Sequence, residues 1–80
     1  MQEDHVQGAL RLVTFTNDNG EMDDVCLYGV DRCEPVDIQQ MLSFIMVVMN
    51  DPNFSKTGRM ILTQISSDLE QALRRKLGII

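Results

Sequence analysis

The sequence predicts a small α+β domain: an antiparallel β-hairpin, about 9–17 and 22–30, followed by two α-helices, about 37–50 and 55–77. Two runs rich in β-forming residues flank an Asn-Gly pair, which is typical of a hairpin. Two stretches with helical apolar spacing follow them. With 80 residues, the chain is expected to form one domain over 1–80.

Residues 1–8 are mostly polar and have no periodic apolar pattern. We therefore expect them to form a loose N-terminus. This segment contains His5, the single histidine of the chain.

The hairpin is predicted to turn at Asn19-Gly20, as a two-residue turn. Counting outward from that turn pairs Thr14 with Val25, Leu12 with Leu27, Val13 with Cys26 and Arg11 with Tyr28. Both faces of such a hairpin are substantially apolar. A hairpin packed on one side only should alternate more cleanly, so we expect the second face to be covered as well.

The first helix is predicted to begin at Asp37 as N-cap, with Gln40 at N3 in a capping-box arrangement. Its core stripe has the spacing of one helical face and comprises Ile38, Met41, Leu42, Ile45 and Met49. Phe44 and Val47 fall off this stripe. The helix is thus apolar on nearly all sides, which predicts burial on nearly all sides.

The second helix is expected to start between Pro52 and Thr57, after a break at the proline. Its predicted core stripe is Leu62, Ile65, Leu69, Leu73 and Leu77. Gly78 has the position of a C-terminal cap, from which Ile79 could fold back on Leu73.

Charge is unevenly distributed along the chain, whose net charge is −5. Residues 1–54 hold ten acids and two bases, whereas residues 55–80 hold two acids and five bases. An acidic lobe of this kind disfavours direct binding to nucleic acid or to an anionic membrane. It suits either solubility or a partner protein with a basic surface.

No residue pattern indicates catalysis, a metal or a cofactor. Cys26, Cys33 and His5 are the only soft metal ligands, and their spacing does not match a zinc site. The acidic stretch 17–24 lacks the ligand order of a calcium loop. We therefore expect a protein that is not an enzyme and that holds no cofactor.

The N-terminus lacks the pattern of a signal peptide, and the longest apolar run, Phe44–Met49, is too short to span a bilayer. These features predict a cytoplasmic protein. Cys26 and Cys33 are then expected to stay reduced.

Self-association is predicted because the chain is short and offers more apolar surface than one hairpin and two helices can cover. The contact would join hairpins into a larger sheet or pack the first helix against its mate. The residues predicted to form it are Val13, Phe15, Cys26, Tyr28, Phe44 and Val47.

Two functions fit these observations. The first is a small, non-enzymatic protein-interaction or regulatory protein of the adaptor type, acting as a homodimer. The alternative is an acidic inhibitor that blocks a basic nucleic-acid-binding surface, as proteins of phages or mobile elements do against host defences. Its predicted contact patch is Asp18, Glu21, Asp23, Asp24, Asp31 and Glu34.

Overall fold

The N-terminal residues form a strand, so the sheet has three strands where the sequence predicted a hairpin. The computed structural model describes residues 1–78. Its elements are β1 (Gln2–Gln7), β2 (Leu10–Thr16), β3 (Met22–Tyr28), α1 (Pro35–Met49) and α2 (Lys56–Leu77). The sheet is antiparallel with the order β1-β2-β3. The α+β class and the order of hairpin and helices are confirmed, and the loose N-terminus is wrong.

β1 forms because it pairs with β2, and not because its residues favour a strand. Gln-Glu-Asp-His contains few residues that favour strands. Pairing with β2 nevertheless runs from Gln2–Phe15 to Gln7–Leu10. The ladder extends to Met1, whose nitrogen donates to the Thr16 carbonyl at 2.8 Å while its carbonyl accepts from the Thr16 nitrogen at 2.8 Å. The partner strand thus overrides the local sequence preference.

A two-residue turn at Gly8-Ala9 connects β1 to β2. Gly8 has φ +59°, which the first central position of such a tight hairpin turn requires. The Gly8 backbone also lies against the Asp37 carboxylate, and a Cβ added there would collide with it. The turn therefore ties the N-terminal strand to the start of α1.

The turn between β2 and β3 differs from the predicted two-residue turn. The Asn17 carbonyl accepts from the Gly20 nitrogen at 3.0 Å, and the Asn17 nitrogen donates to the Glu21 carbonyl at 2.9 Å. Three residues, Asp18 to Gly20, thus form the loop, with Gly20 at φ +79°. The predicted two-residue turn at Asn19-Gly20 is therefore wrong, because the loop contains one more residue, Asp18.

A β-bulge cancels that displacement. Thr16 pairs with Met22 and Phe15 pairs with Asp24, so Asp23 has no partner in β2. Beyond the bulge the predicted register is confirmed, with Thr14–Val25, Val13–Cys26, Leu12–Leu27 and Arg11–Tyr28 as pairs.

α1 starts two residues before the prediction. Pro35 occupies the first turn, and Asp37 lies at N3, where its Oδ2 accepts a hydrogen bond of 2.9 Å from the Glu34 nitrogen. Asp37 is therefore not the N-cap; Glu34 is. A proline in the first turn loses no helical hydrogen bond, which favours the earlier start.

α2 begins after Ser55, whose Oγ accepts from the Gly58 nitrogen at 3.0 Å. It ends at Gly78, which adopts φ +74° and confirms the predicted cap. The Arg59 guanidinium donates to the carbonyls of Met49 and Asp51, and so satisfies carbonyls at the C-terminal end of α1. The predicted contact of Ile79 lies outside the described residues.

Both helices cover one face of the sheet. The fully buried side chains come from β2 and from both helices, and they are Leu10, Leu12, Ile38, Met41, Ile45, Leu62 and Leu69. The predicted helical stripes are confirmed, except that Leu77 is half exposed. Within residues 1–78 no helix is both long and apolar enough to cross a membrane.

Replacing Gly8 by alanine should destabilise the fold more than the same change at Gly20. Both glycines have positive φ, but an added Cβ meets the Asp37 carboxylate at Gly8 and nothing within 4 Å at Gly20. We expect a loss of about 1 kcal/mol for Gly20→Ala and about 2–3 kcal/mol for Gly8→Ala, measured by urea unfolding. Equal losses would contradict the docking of the β1–β2 turn on α1.

Candidate interaction surface

The face of the sheet that points away from the helices is the candidate interaction surface, and we call it the outer face. Strand residues alternate between the two faces, and the register fixes which residues share each face. The outer face comprises Gln2, Asp4, Val6, Arg11, Val13, Phe15, Asp24, Cys26 and Tyr28. None of the described elements packs over it.

Val13 lies at the centre of the outer face, where it pairs with Asp4 on one side and Cys26 on the other. Only 3% of it is exposed, although it is not part of the core cluster between sheet and helices. Its neighbours on the sheet therefore bury it. Two of the surrounding side chains are open to solvent, with Val6 61% and Tyr28 51% exposed.

Arg11 links all three strands across this face. Its Nη2 donates to Asp4 Oδ2 at 2.8 Å, and its guanidinium carbon lies 5.8 Å from the centre of the Tyr28 ring. The ion pair neutralises both charges within one molecule. Because both side chains are about half exposed, the pair contributes little to the free energy of folding, but it orients the Arg11 side chain over the sheet.

Tyr28 and Cys26 lie two residues apart on β3 and point to the same side. Their hydrogen bond raises the pKa of the Tyr28 phenol, with a smaller electrostatic contribution from Cys26. The phenol therefore stays neutral through the physiological pH range. Tyrosine and arginine are both among the residue types that are enriched at binding hot spots.

The free edge of β3 is guarded against pairing with another strand. The Val25 N–H faces the open edge and donates a hydrogen bond of 2.8 Å to Asp24 Oδ1. This backbone donor is therefore not available to a further strand. The bulge at Asp23 lies next to it. Charged side chains and bulges are two common means of protecting an edge strand.

The residues predicted to self-associate divide into two groups. Val13, Phe15, Cys26 and Tyr28 lie together on the outer face. Phe44 lies on the opposite side of the sheet, where its ring centre is 4.4 Å from that of His5. Val47 is largely exposed on α1, so the chain itself does not provide the burial that the first helix was predicted to have.

His5, predicted to be in a loose segment, is half-buried on β1. Asp4 and Val6 were not predicted as surface residues of the sheet either, because both belong to β1, which was expected to be loose. The sequence does hold one signal for this strand, because Gly8-Ala9 stands between Val6 and Leu10 as a possible two-residue turn.

The six acidic residues of the predicted contact patch form two groups at opposite ends of β3, and all six are exposed. Asp18, Glu21, Asp23 and Asp24 lie at the β2–β3 turn, whereas Asp31 and Glu34 follow the other end of the strand. A strand of seven residues spans about 20 Å between its first and last residue.

The two cysteines are in different environments, and both are free thiols. Cys26 is half-buried on the outer face, whereas Cys33 is buried and its Sγ donates to the Val30 carbonyl at 3.3 Å. Burial raises the pKa of the Cys33 thiol. Among the described residues, no three His, Cys, Asp or Glu side chains converge as a metal site would need.

Comparison with protein-family models, with curated proteins and with solved structures finds no match for this chain.

Cys26 should react with a thiol reagent at least about tenfold faster than Cys33 in the folded protein at pH 8. The raised pKa of Cys33 lowers its thiolate fraction, and burial limits access to it. Reaction with dithionitrobenzoate on Cys26→Ser and Cys33→Ser variants measures the two rates separately. In urea, where both thiols are exposed, the two rates should become equal. Equal rates in the folded protein would contradict this assignment of environments.

Proposed function

We propose that this chain is a small, non-enzymatic protein-interaction protein of the adaptor or regulatory type, which acts as a homodimer through its outer face. One observation carries the proposal. No described element covers the outer face, on which Val6 and Tyr28 are exposed and Phe15 and Cys26 are half-buried. Exposed apolar patches rimmed by polar residues mark protein-interaction sites.

A face-to-face, two-fold arrangement suits this surface. Two antiparallel sheets pack with their side chains interdigitating about 10 Å apart. Each copy would bring the same patch to the contact, as two-fold symmetry requires. The Asp4–Arg11 pair lies within the patch and its charges cancel, so the remaining charge of this face is that of Asp24 at the β3 edge.

The size of the outer face predicts a weak dimer. Three strands about 4.8 Å apart and about 20 Å long offer roughly 300 Å² on each copy. Contacts below about 1,200 Å² in total belong to the weak and transient class. We therefore expect a dissociation constant of about 10 µM or higher. A weak contact between copies suits a surface that exchanges with another protein.

Contact through the faces is favoured over contact through the edge of β3. Asp24 occupies the Val25 nitrogen on the edge of β3, and the Asp23 bulge distorts the same edge. β1 pairs with the other side of β2, so the outer edge of β1 is the second edge of the sheet. Joining of hairpins into a larger sheet, one of the two modes expected from the sequence, would have to displace the features at the β3 edge or use the outer edge of β1.

A second candidate is the acidic inhibitor of a basic surface. The β2–β3 turn favours it, because Asp18, Glu21, Asp23 and Asp24 are exposed and none forms a salt bridge with a described residue. Binding of a basic partner by these carboxylates would weaken steeply as salt rises, whereas binding through the outer face would not. Replacing these four carboxylates by Asn or Gln amides tests whether the turn binds a basic partner, without changing the apolar residues of the outer face.

Tyr28→Ser should weaken self-association, whereas Met60→Ser should leave it unchanged. Each change removes an exposed large side chain, but Tyr28 lies on the outer face and Met60, 68% exposed, lies on α2. Sedimentation equilibrium between 10 µM and 1 mM should give a dimer whose dissociation constant rises at least about tenfold in Tyr28→Ser.

The control for this comparison is a circular dichroism spectrum of each variant that matches the parent. A parent chain that remains monomeric at 1 mM would refute the dimer. An equal effect of Met60→Ser would move the contact from the outer face to the helices.

A further inference from the structure

We propose that a cleft on the inner side of the sheet binds a small amphiphilic cation, of about the size of one aromatic ring with an ammonium group. The cleft opens between sheet and helices at the end of the β2–β3 turn, and its volume is about 350 Å³. Its lining comprises Glu3, His5, Leu12, Thr14, Thr16, Met22, Phe44, Val48, Phe54 and Leu62. The proposal is independent of the outer face, which lies on the other side of the sheet.

The depth of the cleft is apolar. Leu12, Met22 and Leu62 are buried core residues and form its floor. The half-buried rings of Phe44 and Phe54 line it from α1 and from the loop before α2. Sites for small molecules are typically apolar cavities of about 300–1,000 Å³ with a few polar groups, and this cleft is at the lower end of that range. It therefore suits a ligand with one ring.

Among the described residues, the polar side chains that line the cleft all come from the sheet. Glu3 and His5 lie on the inner face of β1, and Glu3 Oε2 is 3.9 Å from His5 Nε2. His5 also packs on Phe44, with ring centres 4.4 Å apart, which fixes the imidazole beside the apolar wall. The Glu3 carboxylate is therefore the charged group nearest to the head of a ligand whose ring enters the apolar part.

The surrounding charges favour a cation. Glu21 precedes Met22 in the chain, and Asp51 lies three residues before Phe54. Arg59 and the Met1 ammonium keep their charge, but they donate to the carbonyls of Met49, Asp51 and Thr16 and do not line the cleft. Among the residues that line it, Glu3 carries the formal charge when His5 is neutral. A carboxylate ligand would meet this like charge, whereas an ammonium would complement it.

Two probes with the same phenyl ring and opposite charge test this proposal on the full chain. Backbone amide spectra are recorded while 3-phenylpropylamine or 3-phenylpropionate is added at pH 7, where the amine is protonated. We expect saturable shifts at Glu3, His5, Thr14 and Thr16 with the amine, and a dissociation constant in the low-millimolar range or tighter. The propionate should bind at least about fivefold more weakly.

Glu3→Gln and Asp4→Asn form a matched pair for the charge effect. Both remove one acid from β1, but Glu3 lines the cleft and Asp4 lies on the outer face. Glu3→Gln should bring the two probes to within about twofold of each other, and Asp4→Asn should leave their difference unchanged.

Three results would overturn the proposal. They are equal binding of both probes by the parent chain, the absence of saturable shifts at the cleft, and loss of discrimination in Asp4→Asn to the same extent as in Glu3→Gln. A dilution series without probe is recorded alongside. If dilution alone shifts the cleft residues, a second copy of the chain is the occupant and the small-cation proposal fails.

Discussion

The rest of the structure depends on β2 being held as the central strand, with a partner on each side and buried residues on both faces. Leu10 and Leu12 are completely buried against the helices, and Val13 is buried on the outer face. A shift of one residue in either ladder would exchange the faces of the neighbouring strand. The pairing of β1 thus decides that Glu3 and His5 enter the cleft while Asp4 and Val6 join the outer face.

This arrangement produces two surfaces of different character. The inner face supplies the core and, at its open end, a cleft with one carboxylate beside aromatic rings. The outer face is not covered by any element of residues 1–78, while at the β3 edge the Asp24 side chain accepts a hydrogen bond from the Val25 nitrogen. A sheet that protects the edge of β3 and exposes a face can contact another molecule through that face without strand addition at this edge.

Much of this fold can be predicted from the sequence, and the exceptions have physical causes. The register of β2 with β3 was predicted correctly because the bulge at Asp23 cancels the extra loop residue. The helical stripes follow from their spacing. β1 was missed because Gln-Glu-Asp-His has little intrinsic strand preference and gains it from pairing with β2. The start of α1 was misplaced because a proline in the first turn competes with Asp37 as a start signal.

The candidate sites were only partly predictable. The outer-face residues on β2 and β3 follow directly from the hairpin register, whereas those on β1 do not. Phe44 was assigned to self-association because its partner within the chain, His5, lies on a strand that the sequence did not reveal. The acidic residues cluster in the sequence, yet the length of β3 separates them into two groups.

The central claim, that copies of this chain meet through the outer face, is tested most directly by isotope-filtered nuclear Overhauser spectroscopy on a mixture of labelled and unlabelled protein at millimolar concentration. The account predicts contacts between copies that involve Val6, Phe15 and Tyr28. Contacts confined to α1 and α2, or none between copies at this concentration, would contradict it.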